Sequence, residues 1–336
     1  MDTLIFAANS VLPIILVIVL GYRLKRIGFY DDTFLKSANK LVFNIAIPAY
    51  LFFNVYTIES FKTVNWGIVL YCIILILAIY FTSMVCTFIF TKDRGKRGVL
   101  IQCAFRSNFA IIGLTLADSI GGSEAVGIAA VLSAFSIPLF NVLAVITLSI
   151  FGKNKNGKPT VKSIFISIAK NPLIIGVVLA LICLVIRNME PVNAAGEPVF
   201  TIKNNIPFLY KAIDNVSSIA SPLALIVLGG QFTFSAVRSL AKEIAYGTVW
   251  RLAIAPFFAI ALIAILSKAG IVYADSSCYP SLIALFGSPV AVSSAIMAEA
   301  MDCDGELARQ LVVWTSLISI VTVFLTIVLL KSFSLI

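Results

Sequence analysis

The chain has 336 residues, of which 60% are hydrophobic and only 12% charged, about half the charged share of an ordinary soluble domain. A mean hydropathy of +1.04 excludes a soluble globular domain and points to an all-α polytopic membrane protein whose partner is the lipid bilayer, because a hydrocarbon core about 30 Å thick takes about 20 apolar residues per helical crossing. The net charge of +9 sits in short segments between apolar runs, which is a topogenic pattern and argues against nucleic acid.

Apolar runs bounded by charges or turn residues predict ten transmembrane helices, over residues 3–22, 36–57, 66–90, 98–121, 124–151, 171–188, 208–231, 245–268, 279–301 and 307–331. The first lacks a basic leader and a small-residue cleavage pattern, so it reads as a span and not as a signal peptide. The basic stretch GKNKNGKPTVKS marks the midpoint. It gives a five-helix repeat over 1–151, a cytoplasmic linker over 152–170 and a second five-helix repeat over 171–336. The segment 188–207 reads as a structured surface loop.

Lysine and arginine crowd the loops after odd-numbered spans, at Arg23, Lys25, Arg26, Lys36 and Lys40, at Lys92, Arg94, Lys96 and Arg97, and again in the linker. Such loops stay in the cytoplasm, which places both termini outside a multi-pass protein of the cell membrane. The six cysteines are scattered without metal-like spacing, so neither a metal nor another cofactor is expected.

Five spans per half make any internal repeat an inverted one. In spans two and seven, NIAIPAYLFF (44–53) and SIASPLALIV (218–227) align Pro48 with Pro222. In spans four and nine, SNFAIIGLTLADS (107–119) and SPVAVSSAIMAEA (288–300) align Asp118 with Glu299. Inverted repeats with broken helices at the midplane are a recurring design of secondary transporters.

Span four opens on FRSN, and a continuous helix there would bury Ser107 and Asn108 for no gain. Unwinding around Ser107–Phe109 would leave backbone groups that Asn108 can satisfy, with a second half-helix starting near Ile111. In span nine Gly287 and Pro289 break the helix, and Val290 to Ser294 begin its second half. Two such breaks aim helix N-termini at one cavity and form an anion site even without a cationic side chain. Expected substrate-binding residues are therefore Ser107, Asn108, Phe109, Ile112, Gly113, Ser288, Pro289, Val290 and Ser293, with Asn44, Pro48, Ser221 and Pro222 from spans two and seven.

Each feature also has a plainer reading. A lone proline in a membrane helix is usually a kink, and a lone Asn or Ser often makes an interhelical hydrogen bond worth only about 0.6 kcal/mol. Arg106 and Arg251 can pair, snorkel or mark the transport path. Arg106, beside the break, reads as gating or substrate-attracting. Asp118 and Glu299 suit either the membrane surface or coupling, and Lys211 with Asp214 reads as a local pair. Gly229 and Gly230 read as close-packing positions.

The stretches FRSNFAIIGLTLADSIGG, SIASPLALIVLGGQ, WRLAIAP (250–256) and SPVAVSSAIMAEAM together resemble the auxin efflux carrier family, including its bacterial malate and malonate permease-like members. The resemblance covers nearly the whole chain. It implies a ten-helix carrier of organic anions in which each half has a scaffold part and a crossing helix, here Ser107–Gly113 and Gly287–Ser294. One departure is Thr115, where many members carry proline in GLPL. The long hydrophilic central loop of the plant members is absent.

The expectation is thus secondary or facilitated transport of a small organic anion, malate-, malonate- or auxin-like. No phosphate-binding GxxxxGK[ST] motif is present, which excludes ATP-driven pumping by this chain alone. H+ or Na+ coupling through Asp118, Asp214 or Glu299 stays open, as does a homodimer. The alternatives are a symporter or antiporter of bile-acid-symporter type and a non-transporting sensor on the carrier fold. An intramembrane enzyme is not expected, because the chain has no histidine and no evident pair of midplane aspartates.

Overall fold

The computed structural model describes residues 2–57, 65–152, 166, 169–189, 200–272, 274 and 277–332. Most of the linker (153–165) and most of the 188–207 loop (190–199) lie outside the described residues.

The described chain is helical, and its one β contact is an isolated bridge. Helix α1 spans Asp2–Arg26. α2 (Asp32–Leu41) starts where the Asp31 carboxylate accepts from the Phe34 N–H at 2.8 Å, an N-cap that satisfies an otherwise orphaned donor. It runs through a π-helical turn, Val42–Ala46, into α3 (Ile47–Tyr56). α4 (Trp66–Phe90) and α5 (Arg94–Phe105) are capped in the same way by Asn65 and Asp93. A second π turn, Phe109–Gly113, leads into α6 (Leu114–Phe151), which bends at Gly122, where φ is +63°.

The second half follows as α7 (Pro172–Met189), α8 (Ile202–Asn205), α9 (Pro207–Ser218), α10 (Ala220–Gln231), α11 (Ser235–Ser239) and α12 (Ala241–Val249). A third π turn, Trp250–Ile254, precedes α13 (Ala255–Lys268). The chain closes with α14 (Cys278–Gly287), α15 (Ser293–Ala300) and α16 (Gly305–Ser332).

Two of the π turns have a cause in the sequence. Pro48 and Pro256 each stand second in the helix that follows. Proline offers no N–H and its ring crowds the carbonyl four residues back. The ladder slips by one residue instead, so that Ile47 bonds Val42 and Ala255 bonds Trp250. In the third case Thr115 holds the same register, and the turn forms without proline.

Among the described residues five helices are long and apolar enough to cross a membrane: Trp66–Phe90, Ile120–Phe151, Pro207–Gln231, Ala241–Lys268 and Gly305–Ser332. Other expected spans are divided, four into α5 and the start of α6, nine into α14 and α15.

Packing relies on small residues. α1 lies on α10, and a Cβ at Gly229 would meet the Ile18 carbonyl at 2.0 Å. α3 lies on α7, and a Cβ at Gly176 would meet the Pro48 carbonyl at 2.6 Å. Lipid supplies no hydrophobic drive between helices, so backbones that touch in this way carry much of the association. α4, α5, α6 and α12 to α16 form a second bundle around the two interruptions.

Candidate functional site

α5 stops at Phe105 and α14 stops at Gly287, and the extended residues after them run antiparallel, with Ser107 bridged to Val290. The Asn108 N–H donates to the Pro289 carbonyl at 2.8 Å and the Ala291 N–H to the Arg106 carbonyl at 3.3 Å. Breaking a helix in hydrocarbon frees polar backbone groups, and here each break satisfies the other. The free segments are Arg106–Asn108 and Ser288–Val292. Phe109–Gly113 is already π-helical and the second half-helix of span nine begins at Ser293, so both breaks differ slightly from the sequence expectation. Ser293 and not Val290 starts the helix because the backbone pairing of Arg106–Asn108 with Pro289–Ala291 holds that stretch extended.

Two buried arginines face this crossing. Arg251, fully buried, spreads its guanidinium over five carbonyls at the ends of α5 and α14. Nε donates to Ser288 O at 3.0 Å, Nη1 to Ala104 O at 3.3 Å and Phe105 O at 3.0 Å, and Nη2 to Leu285 O at 3.2 Å and to Phe286 O. It does not snorkel, and among the described residues it pairs with no acid. A cation suits the negative ends of two helices.

Arg106, 3% exposed, turns the other way. Its Nη2 donates to Asn141 Oδ1 at 2.8 Å and to Ser293 Oγ at 2.9 Å, and its Nη1 lies on the Met297 thioether. No ion pair involves Arg106 among the described residues. An uncompensated charge in such a place is costly unless something of opposite sign visits it.

Arg106 lines a cavity of about 60 Å³ with Ser107, Asn108, Ala291, Val292 and Ser293 from the crossing. Ile137, Phe140 and Asn141 of α6 form another wall. The remaining walls are Ile47, Tyr50 and Leu51 of α3 and Ala220, Ser221 and Ala224 of α10. Among the described residues that line the cavity, two carry a polar atom without a partner, Ser107 Oγ and Asn108 Nδ2. Buried polar atoms are nearly always satisfied, so unpaired ones on a cavity wall mark a place for a ligand or water.

Of the expected substrate residues the cavity brings together Ser107, Asn108, Ser221 and Ser293. Phe109, Ile112, Gly113, Ser288, Pro289 and Val290 are buried or packed behind it and shape the crossing. Asn44 is exposed and bonds the Lys40 carbonyl, and Pro48 and Pro222 flank the cavity walls without lining it.

Asp118 is exposed, and Asp214 pairs with Lys211 at 3.6 Å. Glu299 lies in a network that ties α10 to α15 and α16. Arg309 bridges Glu299 at 3.0 Å and Glu306 at 2.8 Å, Gln231 Nε2 donates to Glu299 at 3.0 Å, and Thr233 Oγ1 to Glu306 at 2.7 Å. Tyr50, Phe140 and Asn141 were missed by sequence reasoning. Asn141 carried a signal, an amide inside the otherwise apolar IPLFNVLAV.

The profile of the family described as Membrane transport protein matches residues 6–327. The chain belongs to that family, the auxin efflux carrier family. It is similar to the uncharacterized transporter YfdV of Escherichia coli K12, 28% identical over 261 residues, 75% of this chain and 77% of that protein. YfdV of Escherichia coli O157:H7 and of Shigella flexneri give the same figures. Family, relatives and apolar helices make the chain a multi-pass membrane transporter.

Proposed function

We propose that this member carries a small organic anion across the cell membrane by alternating access at the paired breaks. The observation that carries the reading is Arg106. Among the described residues it is a buried cation with only neutral partners, on a cavity that also presents the unpaired Ser107 Oγ and Asn108 Nδ2. Helix starts at Phe109 and Ser293 add the positive ends of two helix dipoles.

The proposed frame is ten crossings in two inverted halves, with both termini outside. The reciprocal packing of α1 on α10 and α7 on α3, and the antiparallel pairing of the two breaks, support it. At about 60 Å³ the cavity has room for about two waters. A substrate enters only when the wall from α3 and α10 parts from the crossing, which is the motion alternating access requires. Glu299, tied to Gln231 across that division, gates the face beside the 620 Å³ cleft that Lys25 and Arg26 also line. The carbonyls at the ends of α5 and α14 already serve Arg251, so the proposal leaves no sodium there.

The test is counterflow in proteoliposomes loaded with unlabelled acid, using labelled malate, malonate and indole acetate. Saturable exchange of one acid, lost in Asn108→Ala while the protein stays monodisperse, supports the reading. No exchange of any of them, or exchange unchanged in Asn108→Ala, contradicts it.

A further inference from the structure

Asn141 lies 1% exposed in the middle of α6, one residue after the cavity-lining Phe140. Its Nδ2 donates to the Ile137 carbonyl at 2.8 Å, one turn back in its own helix. That bond fixes the amide, because a flip would set an NH2 against the Arg106 guanidinium. Oδ1 therefore faces Arg106 Nη2, which it accepts at 2.8 Å.

An acid of nearly the same shape would fit the same gap, with an oxygen in place of the NH2 that donates to the Ile137 carbonyl. An ion pair would hold the guanidinium more tightly than an amide does, and it would also cancel its charge. The other side-chain partners, Ser293 Oγ and the Met297 thioether, are neutral as well. The arrangement orients Arg106 and leaves its charge unspent.

We infer that Asn141 is a positioning residue that sets the charge preference of the site: it holds Arg106 toward the cavity through a neutral acceptor, so that the only carboxylate able to pair with the guanidinium is the substrate's. This rests on the reading of the cavity as an anion site. Asn141→Asp then turns a receptive cation into a self-neutralised pair, with the introduced carboxylate competing against the ligand.

Stability and affinity separate under this inference. Asn141→Asp keeps the shape and tightens the bond to Arg106 but loses the donor to the Ile137 carbonyl, so its thermal midpoint falls by less than that of Asn141→Ala, which loses both bonds. Its KM for the exchanged acid rises about tenfold or more. Asn141→Ala loses the tether but not the charge, so its midpoint falls while its KM rises less than that of Asn141→Asp. A purely structural amide predicts the opposite order, with the isosteric aspartate the milder change in both readouts.

The experiment measures KM in counterflow with labelled malate, malonate and indole acetate, together with thermal midpoints in detergent, for wild type, Asn141→Asp and Asn141→Ala. Wild-type exchange with KM unchanged in Asn141→Asp, or with KM and midpoint following one order, overturns this inference and leaves the anion reading standing. Absence of wild-type exchange with all three acids overturns both.

Discussion

The Arg251 guanidinium joins the last turn of α5 to the last turn of α14, donating to Phe105 O at 3.0 Å and to Phe286 O. These carbonyls have no intrahelical partner, and no water reaches them in a fully buried site. One side chain thus closes both interrupted helices on the side away from the cavity. Arg251→Met would strand five carbonyls and cost more than about 3 kcal/mol, since each unsatisfied buried acceptor costs about 1–3 kcal/mol. A large fall in the thermal midpoint, partly restored in Arg251→Lys, is expected. An unchanged midpoint contradicts the role.

The contact of α1 with α10 has no room for a side chain at Gly229, where a Cβ would lie 2.0 Å from the Ile18 carbonyl. Gly229→Val should abolish monodisperse protein on size exclusion. Gly127→Ala, facing open space, should elute as wild type.

Thr115 stands where Pro48 and Pro256 stand, second in the helix after a π turn. Proline there meets a ladder already shifted, so Thr115→Pro should change stability by less than about 1 kcal/mol. Thr147→Pro, deep in α6, should cost about 3 kcal/mol or more. Thermal midpoints of the two variants check the contrast, and equal losses would sink it.

The Gln231–Glu299 hydrogen bond spans the division between α10 and the bundle of the crossing. A short reducible cross-linker joining the thiols of Gln231→Cys/Glu299→Cys, whose native side chains meet at their tips, should hold that face shut and stop counterflow, and a reductant should restore it. Transport that continues in the cross-linked protein contradicts a gating role for Glu299.

Much of this was legible in the residues. Pro289 and the SN pair announced the breaks, because proline and paired polar groups in an apolar run have few other solutions. Gly229 and Gly230 announced close packing. The rest depends on distances no local pattern encodes. That Arg251 reaches carbonyls near residues 104 and 286, or that Asn141 meets Arg106, follows from helix rotation and tilt. The break edges moved by a few residues because backbone pairing between the segments, and not local propensity, decides where each helix resumes.

Anion transport at the crossing depends on the charge of Arg106. The most direct measurement is counterflow of the exchanged acid by Arg106→Gln beside wild type, in liposomes holding equal amounts of monodisperse protein. Saturable exchange by wild type and its loss in Arg106→Gln are expected. Exchange by Arg106→Gln at the wild-type rate and KM would contradict that dependence.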